Sequence, residues 1–141
     1  KPWTNNVSRS LIKDPKVYLW DWSNLKDKGA RAENFIASHL LKAVHLWTDM
    51  GFGKFELYYL RNKEKKEVDF IVTKDDQPWF LVETKFANNG SLSEYLYYYQ
   101  DRLKAPHAFQ VIIDMPYTDI DCFKHDTPIK VPARTFLSQL V

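Results

Sequence analysis

The chain has 141 residues, of which 45% are hydrophobic and 16% aromatic, and this composition excludes a disordered tail and predicts one globular domain with a core. Its 20 basic and 18 acidic residues give a formal net charge of +2, too weak a bias to demand or exclude a polyanionic partner. The only cysteine, Cys122, excludes an internal disulfide and fits a reducing, cytoplasmic compartment, and no apolar run approaches the roughly 20 residues that span a bilayer.

The first residues are polar and include Pro2 and Pro15, which predicts a linker arm over residues 1–16. A single domain is expected over residues 17–141, with a short lead-in strand at 17–22. Because the chain begins with Lys1 rather than Met, we expect it to be part of a longer protein.

Apolar residues at helical spacing predict a first helix over about residues 30–48, which ends at the glycine-containing segment 49–54. Three segments rich in Tyr, Phe, Val and Ile then predict strands at 55–60, 67–73 and 79–86. The short polar turns between them indicate an antiparallel meander.

A second helix is predicted to begin at an N-cap formed by Ser91, with Glu94 in the capping-box position, and to run to about Lys104. The apolar run at 108–115 is typical of a strand covered on both faces. The tail after it is predicted to be irregular apart from a helical turn or two over 133–140. The order α-β-β-β-α-β predicts an α/β fold, a mixed sheet with helices on both faces.

The second hairpin brings acidic residues together. A turn over residues 74–78 predicts four opposed pairs: Thr73 and Trp79, Ile71 and Leu81, Asp69 and Glu83, Glu67 and Lys85. Since alternate residues share a face, Asp69, Glu83 and Lys85 are expected on one side of the sheet. Facing carboxylates repel each other, and a divalent cation is the natural compensation because Mg²⁺ prefers oxygen ligands. Lys85 then supplies positive charge to a phosphate or an activated water.

A third acidic residue comes from the first helix. Glu33 precedes Ile36 by three residues and Leu40 by seven, so it lies on the apolar face that is expected to pack against the sheet. Acidic side chains usually avoid such a face unless they are paired or bound to a metal. Glu33 is therefore predicted to join the carboxylates of the hairpin.

A helical Glu33, Asp69 on one strand and Glu83-Thr84-Lys85 on the next resemble the PD-(D/E)XK nuclease superfamily, although Val68 stands where the superfamily's name has proline. A closer resemblance is to the C-terminal domain of unknown function carried by many bacterial and archaeal AAA+ ATPases. The segments that carry it are residues 16–21, 29–36, 57–61, 67–70 and 82–85.

This resemblance implies a restriction-endonuclease-like three-layer fold and hydrolysis of phosphodiester bonds in nucleic acid, dependent on Mg²⁺ or Mn²⁺. It implies roles for six residues: metal binding by Asp69, Glu83, Glu33 and the carbonyl of Thr84, water placement by Lys85, and a polar lining from Gln100. It also implies an upstream ATPase domain as a partner. Since G-x-x-x-x-G-K-[ST] is absent here, any ATP hydrolysis by the parent protein is expected in another domain.

Other interpretations stay open. The same fold can serve as a catalytically inactive module that binds a partner or nucleic acid and regulates an attached ATPase, and a structural oligomerisation domain ranks last. Tyr95 and Tyr99 are predicted to pack their helix onto the sheet rather than to stack on bases. Lys85 can also simply pair with Glu67 across the hairpin. DNA or RNA as substrate and the oligomeric state are left open.

Overall fold

The computed structural model describes the backbone of residues 11–12 and the residues 28–61 and 67–140. Its elements, in chain order, are β1 (Leu11–Ile12), α1 (Lys28–Asp49), β2 (Phe55–Arg61), β3 (Glu67–Lys74), β4 (Gln77–Ala87), α2 (Glu94–Leu103), β5 (His107–Asp114), a short 3-10 turn (Cys122–Lys124), β6 (Ile129–Pro132) and α3 (Ala133–Ser138). The strand predicted at 17–22 lies outside the described residues.

One mixed sheet has the strand order β1-β2-β3-β4-β5-β6. Neighbours from β1 to β4 are antiparallel, whereas β4, β5 and β6 run parallel. These pairings confirm the predicted α/β class with a mixed sheet and the meander of β2, β3 and β4.

The predicted order α-β-β-β-α-β differs from the observed one, since β1 precedes it and β6 and α3 follow it. The prediction of an irregular tail before residue 133 was therefore wrong. Strand β6 has only four residues and ends in Pro132, so it lacks the alternating pattern by which strands are recognised. Its pairing with β5 results from tertiary packing, which a local sequence pattern does not predict.

Helix α1 buries one face, as the apolar spacing predicted. Its buried residues are Ala32, Asn34, Ile36, Ala37, Leu40, Ala43 and Val44. The helix ends where Gly51 adopts a φ of +83°. The N–H groups of Gly51 and Phe52 donate to the carbonyls of Thr48 and Trp47, both at 3.1 Å. This Schellman pattern satisfies the last carbonyls of the helix, and it confirms the stop predicted at 49–54.

Two hydrophobic clusters cover the sheet. The first joins α1 and α3 to the strands through residues that include Ile36, Leu40, Phe70, Val82 and Phe136. The second joins α2 to the strands through residues that include Val68, Ile71, Leu81, Leu96 and Tyr99. Because adjacent residues such as Phe70 and Ile71 enter different clusters, the clusters lie on opposite faces. The burial of Tyr99 confirms that this tyrosine packs its helix.

Trp79 lies at the centre of aromatic packing in the first cluster. Its ring stacks on Phe123 with the centroids 5.3 Å apart, and it makes edge contacts with Trp47 at 5.5 Å and Phe80 at 5.0 Å. The indole N–H of Trp47 donates to the carbonyl of Leu140 at 2.9 Å. The end of the described chain is thereby fastened to α1.

The turn between β3 and β4 is tighter than predicted. Thr73 pairs with Pro78, not with Trp79, and the turn consists of Asp75 and Asp76 with φ values of 51° and 68°. Two consecutive positive φ values are typical of two-residue hairpin turns, and aspartate tolerates them better than most residues. Asp75 is fixed there because its carboxylate accepts the N–H of Lys54 at 2.8 Å.

A bulge compensates for this shorter turn. Between the pairs Val72–Phe80 and Thr73–Pro78 the register shifts, which leaves Trp79 as an extra residue in β4. Beyond the bulge Ile71 pairs with Leu81, as predicted.

The start of α2 also differs from the prediction. Its N-cap is Ser93, whose hydroxyl accepts the N–H of Tyr95 at 3.2 Å, so Ser91 as cap and the capping box with Glu94 were wrong. The side chain of Gln110 explains the shift, because it accepts the N–H of Ser93 at 2.9 Å and donates to the carbonyl of Ser91 at 3.4 Å. These bonds hold the segment before α2 against β5.

In the described chain, none of the helices has the length and apolar character needed to cross a bilayer.

Candidate functional site

The candidate site lies where β3 and β4 stop pairing through their backbones. Counted from the hairpin turn, the last backbone pair of the two strands is Phe70 with Val82. Beyond it the backbone N–H of Asp69 donates to Glu83 Oε1 at 3.2 Å, and the N–H of Thr84 donates to Asp69 Oδ2 at 2.7 Å. Side-chain carboxylates thus replace the strand-to-strand hydrogen bonds at this point. Asp69 and Glu83 meet as the hairpin register predicted.

A second bulge sets the position of Asp69. In the pairing with β2, the register moves from Tyr58–Ile71 to Leu60–Val68, so one residue of β2 faces both Asp69 and Phe70. Val68 and Ile71 accordingly pack in the same cluster although they are three residues apart. The simple alternation used in the prediction is interrupted here. Bulges of this kind occur next to active sites because they re-aim a side chain.

Lys85 lies beside the acidic pair. Its Nζ is 3.4 Å from Glu83 Oε2, and the Lys85 side chain is 47% exposed whereas that of Glu83 is 14% exposed. Glu83 therefore contacts Asp69 through one carboxylate oxygen and Lys85 through the other. The ammonium group is placed at the open side of the cluster, where a ligand can approach it. For Glu67, the alternative partner of Lys85, the structure describes the backbone but not the side chain.

Glu33 completes the cluster from α1. Its charge acts on both hairpin carboxyls, since it raises the pKa of Asp69 and of Glu83. The structure therefore joins Asp69, Glu83 and Lys85 by direct contacts and places Glu33 near enough for its charge to act on the two acidic groups. This convergence is the spatial arrangement on which the predicted roles depend.

Burial dominates the electrostatics of the cluster. It raises the pKa of Asp69 well above the ordinary value, and the charges of Glu83 and Glu33 raise it further, against smaller opposite effects of the Thr84 N–H and Lys85. Burial also raises the pKa of Glu83, which Lys85 and the N–H of Asp69 partly offset. Carboxyl groups in this condition favour a bound proton or a bound cation.

The donors here fit a hard divalent cation. Both side chains offer carboxylate oxygens, and Asp69 Oδ1 accepts no hydrogen bond from any described residue. The N–H and C=O of a strand residue point towards the same neighbouring strand, so the carbonyl of Thr84 is directed, like its N–H, towards β3. Mg²⁺ commonly takes only one or two protein carboxylates and keeps several waters.

The described residues hold no group of three or more His, Cys, Asp or Glu side chains placed closely enough for a metal ion. An ion at this point would therefore take side-chain oxygens from Asp69 and Glu83, with the carbonyl of Thr84 as a further donor. Two buried polar atoms belong to residues that directly follow Glu33 and Glu83 in the chain. Asn34 Nδ2 and Thr84 Oγ1 have no hydrogen-bond partner within the described residues, and unsatisfied buried groups mark places where a water or an ion is expected.

Gln100 does not join the cluster. Its side-chain amide donates to the carbonyls of Ala105 at 3.1 Å and Asp126 at 2.9 Å. Ala105 lies before the start of β5. Glu83 pairs with Gln110, which is three residues, or roughly 10 Å, beyond the first residue of that strand. The polar lining predicted for Gln100 is thus corrected to a structural role.

Sequence reasoning missed Gln110 instead. It is 1% exposed, lies next to Glu83 in the sheet and neighbours Lys130 on the other side. Lys130 Nζ donates to the carbonyl of Gly90 and lies 3.4 Å from Asn88 Oδ1. Gln110 and Lys130 together hold the loop that follows β4. The only signal in the sequence was a polar residue inside an otherwise apolar strand.

Comparison with known proteins gives one match. The family described as Domain of unknown function (DUF4143) matches residues 28–131, a range that contains every residue of the cluster. No curated protein and no solved structure matches the chain.

Proposed function

The chain belongs to the DUF4143 family, and from the geometry of its acidic cluster we propose that it is a metal-dependent nuclease-like domain that hydrolyses phosphodiester bonds in nucleic acid. Within the α/β class we propose a restriction-endonuclease-like fold, whose core consists of α1, β2, β3, β4, α2 and β5. The biological setting proposed is a cytoplasmic protein with an upstream ATPase domain.

The observation that carries the proposal is the interlocked pair of carboxylates beside an amine. Asp69 accepts the backbone N–H of Thr84, and Glu83 contacts both the N–H of Asp69 and the Nζ of Lys85. Acidic groups in a stable sheet normally avoid facing each other. Their position is explained if they hold an ion that the reaction needs.

Each residue has a distinct chemical task in this proposal. Asp69, Glu83 and the carbonyl of Thr84 would hold Mg²⁺ or Mn²⁺, which supplies a polarised phosphate and a more acidic water. Lys85, exposed beside Glu83, stabilises negative charge that develops on the phosphate. Glu33 orients a water or accepts its proton at its own carboxylate.

The test is cleavage of labelled DNA and RNA oligonucleotides with Mg²⁺ or Mn²⁺. Asp69→Asn and Lys85→Met are expected to lower the rate about 100-fold or more, as loss of a charge-stabilising group does in other enzymes. Lys104→Met is the matched control, since Lys104 is 82% exposed and pairs only with Asp101 among the ion pairs of the described chain. No cleavage of either polymer, or equal cleavage by all variants, refutes the proposal.

A second candidate is the catalytically inactive module that regulates an attached ATPase. The observation in its favour is that the described carboxylates form no group of three close enough for a metal ion. Calorimetric titration with Mn²⁺ separates the candidates. Heat that disappears in Asp69→Asn supports the nuclease proposal, whereas a silent titration with retained nucleic-acid binding supports the inactive module.

A further inference from the structure

A separate cavity of about 330 Å³ lies between the start of α1 and the ends of β4 and β5, and its described lining consists of Lys28, Arg31, Ala32, Phe35, Phe86 and Ile113. Its size falls within the range of pockets that hold small ligands. The cavity is distinct from the cluster of Glu33, Asp69, Glu83 and Lys85, because none of these four residues lines it.

Two of the elements that carry the cluster, α1 and β4, also form walls of the cavity. Ala32 directly precedes Glu33 on α1, and Phe86 directly follows Lys85 on β4, so the side chain of Phe86 projects from the face of the sheet opposite to that of Lys85. Ile113 lies near the end of β5, which runs parallel to β4. The cavity therefore opens at the carboxyl ends of two parallel strands, the usual position of ligands in sheets of this kind.

The walls combine two chemistries. Phe35 and Phe86 supply aromatic surface, while Lys28 and Arg31 are exposed cations in the first turn of α1. Lys28 Nζ lies 5.0 Å from the centroid of the Phe86 ring, so positive charge already sits over an aromatic face. The first turn of α1 contains no acidic residue, and the helix end itself favours anions. A ligand that complements these walls has a flat apolar body and a negative group.

The geometry points to a binding pocket for one unpaired nucleotide of a nucleic-acid strand, with its base against Phe35 and Phe86 and its phosphate at Lys28 and Arg31. This inference rests on the proposed function, in that the bound nucleotide belongs to the nucleic acid that the acidic cluster is proposed to cleave. Bases stack on aromatic side chains with little regard to sequence. The proposed substrate is therefore single-stranded, or unpaired at the bond that is cut.

Binding is measured apart from cleavage, in EDTA, by fluorescence anisotropy of a labelled single-stranded oligonucleotide with the whole chain. Phe86→Leu keeps the apolar volume but removes the aromatic face, and it is expected to weaken binding roughly 5-fold or more, the effect of losing one stacked base. An abasic strand of the same length is expected to bind more weakly than the normal strand and to be insensitive to Phe86→Leu.

The cations have their own readout. Arg31→Gln and Lys28→Gln are each expected to lower the slope of log affinity against log salt by about 0.7, because each removes one contact to a phosphate of a single strand. Lys42→Gln is the matched control, an exposed cation of the same helix that does not line the cavity. It is expected to leave both the affinity and the slope unchanged.

The inference is overturned if no strand binds, if Phe86→Leu binds like the unchanged chain, or if the abasic strand binds equally well. An equal affinity for duplex and single strand also overturns it. Intact binding with no metal-dependent cleavage instead refutes the proposed hydrolysis and leaves the nucleotide pocket standing. The two failures are thus distinguishable.

Discussion

The substitution Asp69→Asn tests the electrostatics of the cluster without reference to activity. Asparagine has nearly the same shape as aspartate, and its side-chain oxygen can still accept the N–H of Thr84, which now donates to Asp69 Oδ2 at 2.7 Å. What it removes is a negative charge in a buried position beside Glu83 and Glu33. In the absence of metal the variant is therefore expected to be more stable than the unchanged chain at pH 8.

The magnitude follows from two opposing contributions. Two unit charges about 5 Å apart, as for facing strand residues, repel by about 3 kcal/mol at an effective dielectric constant of about 20. Replacing a charge-assisted hydrogen bond by a neutral one costs about 1 kcal/mol. The net expectation is a gain of about 2 kcal/mol in the free energy of unfolding.

The pH dependence of stability gives independent evidence that Asp69→Asn is stabilising. A raised pKa means that folded Asp69 binds its proton at a pH where the unfolded chain has released it. Its contribution to stability is thus present below the ordinary aspartate pKa of about 3.9 and is lost as the pH rises through the folded-state value. The advantage of Asp69→Asn should accordingly grow from acid to alkaline pH.

Urea unfolding followed by tryptophan fluorescence, in EDTA at several pH values, measures this difference. Asp101→Asn serves as control, because Asp101 is 85% exposed, and it should change the stability by less than about 0.5 kcal/mol. A variant that is less stable than the unchanged chain at pH 8, or a difference that does not grow with pH, would show that the buried repulsion inferred here is wrong.

Three further predictions concern the ion and two hydrogen-bonded side chains. Mn²⁺ at about 100 times its dissociation constant should stabilise the chain by about 2.7 kcal/mol in thermal unfolding, and Asp69→Asn should abolish most of that gain. Trp47→Phe removes the hydrogen bond to the Leu140 carbonyl and should lower stability in urea by about 1 kcal/mol. Gln110→Leu leaves the N–H of Ser93 without its acceptor and should cost about 1–3 kcal/mol, with faster hydrogen exchange at Ser93.

Elements with strong local patterns were predictable from the sequence. Helix α1 and the meander of β2, β3 and β4 follow from residue spacing alone, and the meeting of Asp69 with Glu83 follows from the pairing of Ile71 with Leu81. The predicted pairing is nevertheless correct only because two departures from the predicted hairpin cancel each other. The actual turn is shorter than the predicted one, and the extra residue at Trp79 restores the register.

Features that depend on distant contacts were not predictable. The cap of α2 moved from Ser91 to Ser93 because Gln110, in a later strand, holds both residues. Gln100 was placed at the site by resemblance, but its amide donates to backbone carbonyls elsewhere. The bulge at Asp69 has no signature in the sequence, since Val68 and Phe70 are ordinary strand residues on either side of it.

The extra residue in β4 links the aromatic end of the hairpin to its acidic end. Without it, the tight turn would carry the Thr73–Pro78 register onward, and Asp69 would face Val82 in place of Glu83. Trp79 is kept in that irregular position by its stacking on Phe123 and its edge contact with Trp47. The register that makes Asp69 face Glu83 is thus set by aromatic packing several residues away from the acidic pair. Deleting this one tryptophan would slide one strand past the other and dismantle the cluster while leaving every acidic residue in the chain.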